Sequence, residues 1–341
     1  MNITTESSIS NAILIAPYQL NIWLGCFILI TGNISTIGNI IVFSSRSFRN
    51  RACTIYLLAE AFVLIFFFNF VLLTRTLQKG FQIPLLNRYD VICRLRYFAS
   101  QYINLLALNL FIFASLDRLL STHRSPVYRQ LSGQINLAYK LILICTIIWF
   151  LVSCHRFIFY STLTGQCIAQ DGVYAIFDNY FEAIVSGLCP PIIIFILAYS
   201  LMRNVRNTIQ RQIVHVHTEH TSRSAPNLKF LRKTDKQLTH MLLWQTLVAI
   251  PAFVPYTIEL IYINISQYWS KSDQWLAWES ICVETIHLLS YTFFSTHFYV
   301  SLMSSNGIRV KILNIFGMKN RINPVSKTSD TINLNTVRGI T

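Results

Sequence analysis

The chain is dominated by long apolar runs separated by short polar connectors. Seven of these runs approach the ~20 residues that an α-helix needs to cross the hydrocarbon core of a bilayer. None alternates with the period of two that barrel strands show, and each is too long for one tilted strand. Because backbone groups in lipid must be satisfied within the segment, the runs predict helices. The predicted spans are 20–44, 54–77, 93–121, 137–160, 175–202, 237–263 and 276–303.

These runs predict an all-α membrane protein, a bundle of seven transmembrane helices over residues 20–304. Residues 1–19 form an N-terminal segment outside the membrane. After the last run, apolar and basic residues alternate, which predicts a short amphipathic helix over 305–319 lying on the membrane surface. The polar tail 320–341 is predicted to be disordered.

Composition and charge agree with a membrane protein. Hydrophobic residues make up 53% of the chain and charged residues only 12%, against roughly 25% charged in soluble domains. Most of the 28 lysines and arginines fall in connectors that share one side if the N-terminus lies on the other. Basic connectors stay cytoplasmic, so we expect a multi-pass plasma-membrane protein with its N-terminus outside. The net charge of +14 then indicates topology and attraction to anionic membrane lipids rather than nucleic-acid binding.

Two glycosylation sequons fall on the outer side in this topology. They begin at Asn2 and Asn264, and both are candidate glycosylation sites, although short sequons often stay unmodified. The first twenty residues lack the pattern of a cleavable signal peptide, so we expect the first span to direct insertion.

Among the eight cysteines, two are placed to form a disulfide. Cys93 begins the third span on the outer side, and Cys167 lies in the outer connector between the fourth and fifth spans. That compartment is oxidising, so the sequence predicts a bond that pins the connector over the bundle. Free thiols are the alternative.

Several short motifs occur in the same order and at compatible spacing along the spans. They are Gly38-Asn39, Thr54-Ile55-Tyr56-Leu57-Leu58, the Cys93 and Cys167 pair, Asp117-Arg118-Leu119, Trp149, Pro191 with Tyr199, and Pro255. Over about residues 20–316 the chain resembles the rhodopsin-like G-protein-coupled receptors, and among them the invertebrate neuropeptide receptors of the FMRFamide type. The resemblance implies a receptor that binds an extracellular peptide and activates a heterotrimeric G protein.

The resemblance also implies a latch and a hinge. A guanidinium at the membrane edge must find a partner, and Arg118 has Asp117 beside it and Asp235 at the inner end of the sixth span. The family pattern implies an ionic latch from Arg118 to Asp235; a solvated charge cluster is the alternative. Pro255 removes a backbone hydrogen bond, and Phe253 stands near the family's pivot tryptophan, which implies a hinge. Simple core packing of Phe253 is the alternative.

Other positions depart from the family pattern. The acidic residue of the second span is replaced by Leu64, with Glu60 four residues earlier, so we do not expect the usual sodium site. The Asn-Pro-x-x-Tyr motif is replaced by Thr296-His297-Phe298-Tyr299-Val300. A receptor-like scaffold that no longer signals is therefore an alternative function. A transporter is less favoured because no span is repeated. We expect no enzymatic activity, metal site or cofactor, and retinal is excluded because the last span lacks lysine.

The outer ends of the spans carry the candidate ligand pocket. Amine receptors place an aspartate where this chain has Ser100, so a small amine is not expected. Carboxylates interleaved with aromatic residues suit a cationic, amphipathic peptide through charge-assisted hydrogen bonds and cation–π contacts. Solvated rim charges are the alternative. The predicted pocket residues are Ser100, Gln101, Asp178, Glu182, Tyr256, Glu259 and Glu284.

Overall fold

The computed structural model describes residues 10–45, 48–49, 51–163, 165–170, 172–216 and 226–315. Side chains are described in these ranges except at 207–216, 226–236, 306–307, 311 and 314–315. Asn2, the tail 320–341 and the side chain of Asp235 therefore lie outside the description. The predictions made for them stay predictions.

Seven long helices, numbered α1 to α7, make up most of the described chain. α1 is Asn11–Phe43, α2 is Ala52–Lys79, α3 is Asp90–Ser121, α4 is Ile135–Phe159, α5 begins as Val173–Phe181 and ends as Cys189–Val216, α6 is Pro226–Ser266 and α7 is Asp273–Ser304. A shorter helix α8, Asn306–Ile315, lies where the amphipathic helix is predicted. Two short turns of helix, Leu85–Arg88 and Pro126–Leu131, occur in connectors.

Six helical segments of the described chain are long and apolar enough to cross a membrane. They are α1 to α4, the part of α5 up to Arg206, and Gln237–Ser266 of α6. The prediction of an all-α, multi-pass membrane-type fold is confirmed at this level. α7 has similar length, but its three carboxylates and two histidines lower its hydropathy, so it is not among the six. The seventh span stays a prediction.

The helix α1 starts earlier than the apolar run predicts. It begins at Asn11, and Pro17 lies inside it. The segment before residue 20 is itself rich in isoleucine, leucine and alanine, so it continues the helix instead of forming a separate polar terminus. Part of the predicted 1–19 segment therefore belongs to α1.

The helix α3 lies at the centre of the bundle. It packs against α2, α4, α5 and α6, while α7 lies between α1 and α6. Phe111 of α3, Phe67 and Phe68 of α2 and Phe293 of α7 are essentially inaccessible and form the middle of the core. Aromatic pairs of this kind add ~0.5–1.5 kcal/mol each beyond the area that they bury.

The glycine of the Gly38-Asn39 motif permits close packing of α1 on α7. A Cβ atom at Gly38 would lie 2.6 Å from Cε2 of Phe298. Such a contact is far inside van der Waals distance, so a larger residue would force the helices apart. The backbone N–H of Phe298 also donates to Ser35 Oγ at 3.1 Å, which fixes the same interface.

Two helices contain π-helical stretches, Phe67–Leu72 in α2 and Glu182–Leu188 in α5. In α5 the Gly187 carbonyl has no α-helical donor, because residue 191, four positions on, is a proline without a backbone N–H. This carbonyl accepts a 2.6 Å hydrogen bond from Thr257 Oγ1 of α6, which ties α5 to α6.

A small hairpin covers the bundle where α3 begins. Its strands β1, Tyr160–Ser161, and β2, Ile168–Ala169, pair antiparallel between α4 and α5. Cys167 forms a disulfide with Cys93, with the Cα atoms 5.7 Å apart, which confirms the prediction. Asp90 Oδ1 accepts a 3.0 Å hydrogen bond from the Thr162 N–H and holds the hairpin from below. We call this the disulfide end of the bundle and the opposite end the Arg118 end.

Candidate functional site

At the Arg118 end, the Asp-Arg pair is buried and internally neutralised. The exposed fractions of Asp117 and Arg118 are 6% and 3%. Arg118 donates through Nε and Nη2 to Asp117 Oδ2, at 3.1 and 2.5 Å. Asp117 Oδ1 accepts from Ser132 Oγ at 3.1 Å and from the Gly133 N–H at 3.0 Å. This carboxylate therefore joins the end of α3 to the following connector as well as to Arg118.

The predicted latch partner Asp235 lies in α6, but its side chain is outside the description. The latch between Arg118 and Asp235 stays a prediction.

The predicted hinge lies in an aromatic cluster in the middle of the bundle. α6 continues as a helix through Pro251 and Pro255. The Phe253 side chain is 2% exposed, and its ring lies 5.0 Å from that of Phe293 and 6.3 Å from that of Phe294. Phe253 is thus one of the contacts of α6 with α7, and a movement of α6 about its prolines would separate these rings.

A buried carboxyl group and a buried imidazole lie close together between α2 and α7, at the positions where the chain departs from the receptor family's motifs. His297 Nδ1 lies 3.2 Å from Glu60 Oε1, and both side chains are almost fully buried. The His297 ring packs 4.4 Å from that of Phe293. Sequence reasoning treated Glu60 and the His297 motif as separate departures. Their pairing depends on the rotation of two helices that are far apart in sequence.

At the disulfide end, two predicted pocket acids are already paired with a buried arginine. Arg156 of α4, 2% exposed, donates through Nε to Asp178 Oδ1 at 2.9 Å and through Nη2 to Glu182 Oε2 at 2.6 Å. Tyr160 donates to Asp178 at 2.7 Å, and Tyr256 donates to Glu182 at 3.0 Å. We call these five residues the Arg156 cluster. It links α4, α5 and α6 through charge-assisted hydrogen bonds.

Tyr160 shows how strongly this cluster is shielded from water. It lies just beyond the end of α4, and burial raises the pKa of its phenol well above the usual range, against the opposing effect of Arg156. The phenol therefore remains protonated and keeps donating to Asp178.

A second cluster neutralises Glu284 of α7. Arg75 Nη2 lies 2.5 Å from Glu284 Oε2, Lys79 Nζ lies 3.5 Å from Oε1, and Asn21 Nδ2 donates to Oε2 at 3.1 Å. We call these four residues the Arg75 cluster. It joins α1, α2 and α7. Arg75 and Arg156 were not among the predicted site residues. The signal that could have found them is that both stand near the outer ends of their spans, where few basic residues are expected.

The remaining pocket residues carry unpaired polar groups. Gln101 is 3% exposed, and neither atom of its amide has a hydrogen-bond partner among the described residues. The same holds for both carboxylate oxygens of Glu259, 4% exposed, although His287 Nε2 approaches Oε1 to 3.4 Å. Ser100 is half-buried on the same helix as Gln101.

Arg96 of α3 is a buried cation that is not among the predicted site residues, although it belongs to the basic residues near the outer ends of the second and third spans that depart from the charge bias of the connectors. It is 7% exposed, and its Nε has no hydrogen-bond partner among the residues that the structure describes. Its guanidinium lies 5.8 Å from the Tyr97 ring centroid. A buried charge without a counter-ion is costly, so this position favours an anionic or carbonyl group from a ligand.

The predicted glycosylation site Asn264 lies inside α6. It is 5% exposed, and its Nδ2 donates to the Leu260 carbonyl at 2.9 Å. A glycan at Asn264 would require the end of α6 to open.

Comparison with protein-family models gives no match for the chain, and comparison with the curated proteins gives none either.

Proposed function

We propose that the chain is a receptor of the rhodopsin-like class that binds an extracellular ligand at the disulfide end and activates a heterotrimeric G protein at the Arg118 end. The observation that carries the proposal is that α6 makes contacts at both levels between these ends. Tyr256 of α6 donates a hydrogen bond to Glu182 in the Arg156 cluster, and Phe253 packs on α7 in the core. Displacing Tyr256 would therefore act on a helix that contains two prolines.

The receptor proposal includes α7 as a seventh span. Its polar residues do not argue against this role, because Glu284, Ser290, His297 and Ser301 are buried inside the bundle instead of facing lipid. With seven spans, the excess of basic residues in the connectors of one side supports an N-terminus outside the plasma membrane, with α8 on the cytoplasmic leaflet.

We infer that the ligand is a peptide that exchanges ion pairs with the protein. A cationic group on the peptide would compete with Arg156 for Glu182 and release Tyr256, which moves α6. Arg96 and Gln101 supply donors for the peptide's carbonyl or carboxylate groups. Exchange of one charge-assisted hydrogen bond for another keeps the carboxylate satisfied, so activation needs no uncompensated buried charge.

A non-signalling scaffold is the second candidate function. The observation that favours it is the Glu60–His297 pair, which ties α2 to α7 where the family has its Asn-Pro-x-x-Tyr motif. Although Glu60 Oε1 has no hydrogen-bond partner among the described residues, His297 Nδ1 is a polar atom within 3.2 Å of it, and moving α7 away from α2 would leave a buried carboxyl group without this neighbour.

The test is G-protein activation in cells that express the chain, challenged with a pooled library of amidated peptides. Arg118→Ala removes the buried guanidinium, and Arg124→Ala is the matched control because Arg124 is an exposed arginine nearby. Surface expression of each variant is measured in parallel. The proposal predicts a response that Arg118→Ala abolishes and Arg124→Ala keeps. A response that persists unchanged in Arg118→Ala, or no response from a surface-expressed chain, would count against it.

A further inference from the structure

A cavity of about 620 Å³ lies between α6 and α7 near the disulfide end. Ile258 and Tyr262 of α6 face Trp275, Trp278 and Cys282 of α7 across it. On both helices the lining residues recur at intervals of three and four, so each helix presents one continuous stripe to the cavity. The volume falls within the range of small-molecule sites. We call this cavity the α6–α7 groove.

The mouth of the groove is apolar and opens on the lateral face of the bundle. The exposed fractions of Ile258, Trp275 and Trp278 are 62%, 55% and 52%. Ile258 belongs to the part of α6 that is long and apolar enough to cross a membrane, and its side chain is exposed, so we infer that this face adjoins lipid. A ligand can therefore enter the groove sideways from the bilayer.

A buried carboxylate lines the otherwise apolar groove. Glu259 is 4% exposed, and both its oxygens lack a hydrogen-bond partner within the described chain. Its nearest basic group is His287, at 3.4 Å, an imidazole that carries charge only when protonated. The neighbouring Lys271 is already bound to Glu279, at 2.5 and 2.7 Å from its two oxygens. Glu259 is thus the one lining acid that retains its full hydrogen-bonding capacity among the described residues.

We propose that the α6–α7 groove binds an amphipathic amine, with its ammonium group on Glu259 and its apolar chain against the aromatic wall. An ammonium supplies the hydrogen-bond donors and the charge that the buried carboxylate lacks. Trp275 and Trp278 line the groove and offer apolar area to the chain, while the Tyr262 ring already has Lys271 Nζ 5.2 Å from its centroid, which shows that this wall accepts an ammonium group. Trp275 Nε1 lies 3.2 Å from Tyr262 Oη, which holds two of these rings in place.

The amine has two sources, a free long-chain amine or the headgroup of a membrane lipid that bears a primary ammonium. Neither depends on G-protein coupling, so the binding assay is independent of the proposed receptor function. Loss of signalling leaves the groove proposal intact, and loss of groove binding leaves the receptor proposal intact.

The experiment is photo-crosslinking of the full chain in lipid nanodiscs. The probes are a twelve-carbon primary amine with a diazirine in its chain, and the matched alcohol and carboxylate. Labelling of the groove peptides is mapped by mass spectrometry and normalised to the lipid-facing surface of α4, where Leu143 and Ile147 are exposed. That normalisation removes differences in how the probes partition into the bilayer.

In discs of phosphatidylglycerol, which carry no lipid ammonium, the amine is expected to label the groove about tenfold more than the alcohol or carboxylate, as one charge-assisted contact would give. Glu259→Gln should bring the amine to the level of the alcohol. Equal labelling by the three probes, or an unchanged amine signal in Glu259→Gln, would overturn the proposal. Thermal melting of Glu259→Gln confirms that the variant is folded.

A second arm identifies the source of the amine. Discs that contain phosphatidylethanolamine offer a competing primary ammonium. Reduced labelling by the amine probe in these discs assigns the groove to lipid headgroups, and unchanged labelling assigns it to free amines. Both outcomes support the ammonium site and differ only in its natural occupant.

Discussion

Replacing Arg156 with methionine tests whether the Arg156 cluster is a buried charge network whose acids depend on one cation. Arg156 is 2% exposed, and it contacts Asp178 at 2.9 Å and Glu182 at 2.6 Å. Methionine fills much of the same volume but leaves two carboxylates without a cation. Breaking a buried pair in this way costs about 3–5 kcal/mol, so we expect a marked loss of thermal stability.

The control is Arg94→Met, at an ion pair that is one-third exposed. Arg94 Nε lies 2.7 Å from Asp90 Oδ2, one turn away on α3. Such exposed pairs contribute about 0–1 kcal/mol, so this variant should melt close to the wild type.

A charge-balanced variant separates the loss of the cation from general damage to packing. Arg156→Met combined with Asp178→Asn and Glu182→Gln removes both orphaned charges while keeping acceptors for the two tyrosines. It should recover most of the lost stability, because replacing all members of a buried ion pair is often near neutral. The assay is the fraction of purified protein that stays monodisperse after heating. The assignment of a buried network is wrong if Arg156→Met melts at the same temperature as Arg94→Met. It is also wrong if the charge-balanced variant melts at the same temperature as Arg156→Met alone.

Three further predictions concern the helix contacts. Cys93→Ser removes a bond between residues 74 apart and should lower stability by about 4 kcal/mol, measured as melting with and without reductant. Gly38→Ala places a methyl group on Phe298 and should cost about 1–3 kcal/mol in the same assay, with recovery when Phe298→Leu makes room. His297→Leu orphans Glu60, so the double replacement Glu60→Leu with His297→Leu should be more stable than His297→Leu alone, and a double-mutant cycle should give about 0.5–3 kcal/mol of coupling.

Each of these has a matched control and a contrary result. Cys282→Ser changes an exposed free thiol and should leave melting unchanged; an equal effect from both cysteines would remove the special role of the disulfide. Phe298→Leu alone is the control for Gly38→Ala, and a Gly38→Ala variant that melts like the wild type would show that the α1–α7 contact does not require glycine. Strictly additive effects of the Glu60 and His297 replacements would show that the two groups do not interact.

The helices and the disulfide could be predicted from sequence because both leave local signals. Apolar runs of membrane length predict the bounds of α2, α3 and α4 within three residues, whereas α5 continues to Val216 and α6 begins at Pro226, because both helices extend beyond the apolar run as polar helix. Cys93 begins a run, and Cys167 lies in the connector that follows the fourth run. The start of α1 at Asn11 was not predicted, because a search for runs of about 20 apolar residues finds only the part of a helix that crosses the bilayer and not the turns that continue beyond it.

The candidate site could be predicted only in part. The sequence identifies Glu182 and Glu284 as unusual acids near the outer ends, but not that Arg156 and Arg75 neutralise them. Those pairings join α4 to α5 and α2 to α7, so they depend on the depth and rotation of each helix, which a single chain pattern does not encode. The burial of Arg96 could not be predicted, because a basic residue near a span end, here with Arg94 two residues away, is equally compatible with a solvated charge.

The contacts of α7 determine which parts of the bundle can slide. α7 is fastened to α2 at two levels, by Glu60 with His297 and by Arg75 with Glu284, and to α1 through Asn21. These three helices therefore behave as one rigid block. Its boundary with α6 includes ring contacts near Phe253, buried hydrogen bonds from Gln245 to the His297 carbonyl and Ser301 Oγ, and the open α6–α7 groove. The groove is the part of this boundary where the two helices are least closely packed. A shear of α6 against this block would change the width of the groove directly, so any molecule lodged there would act as a wedge on the moving helix.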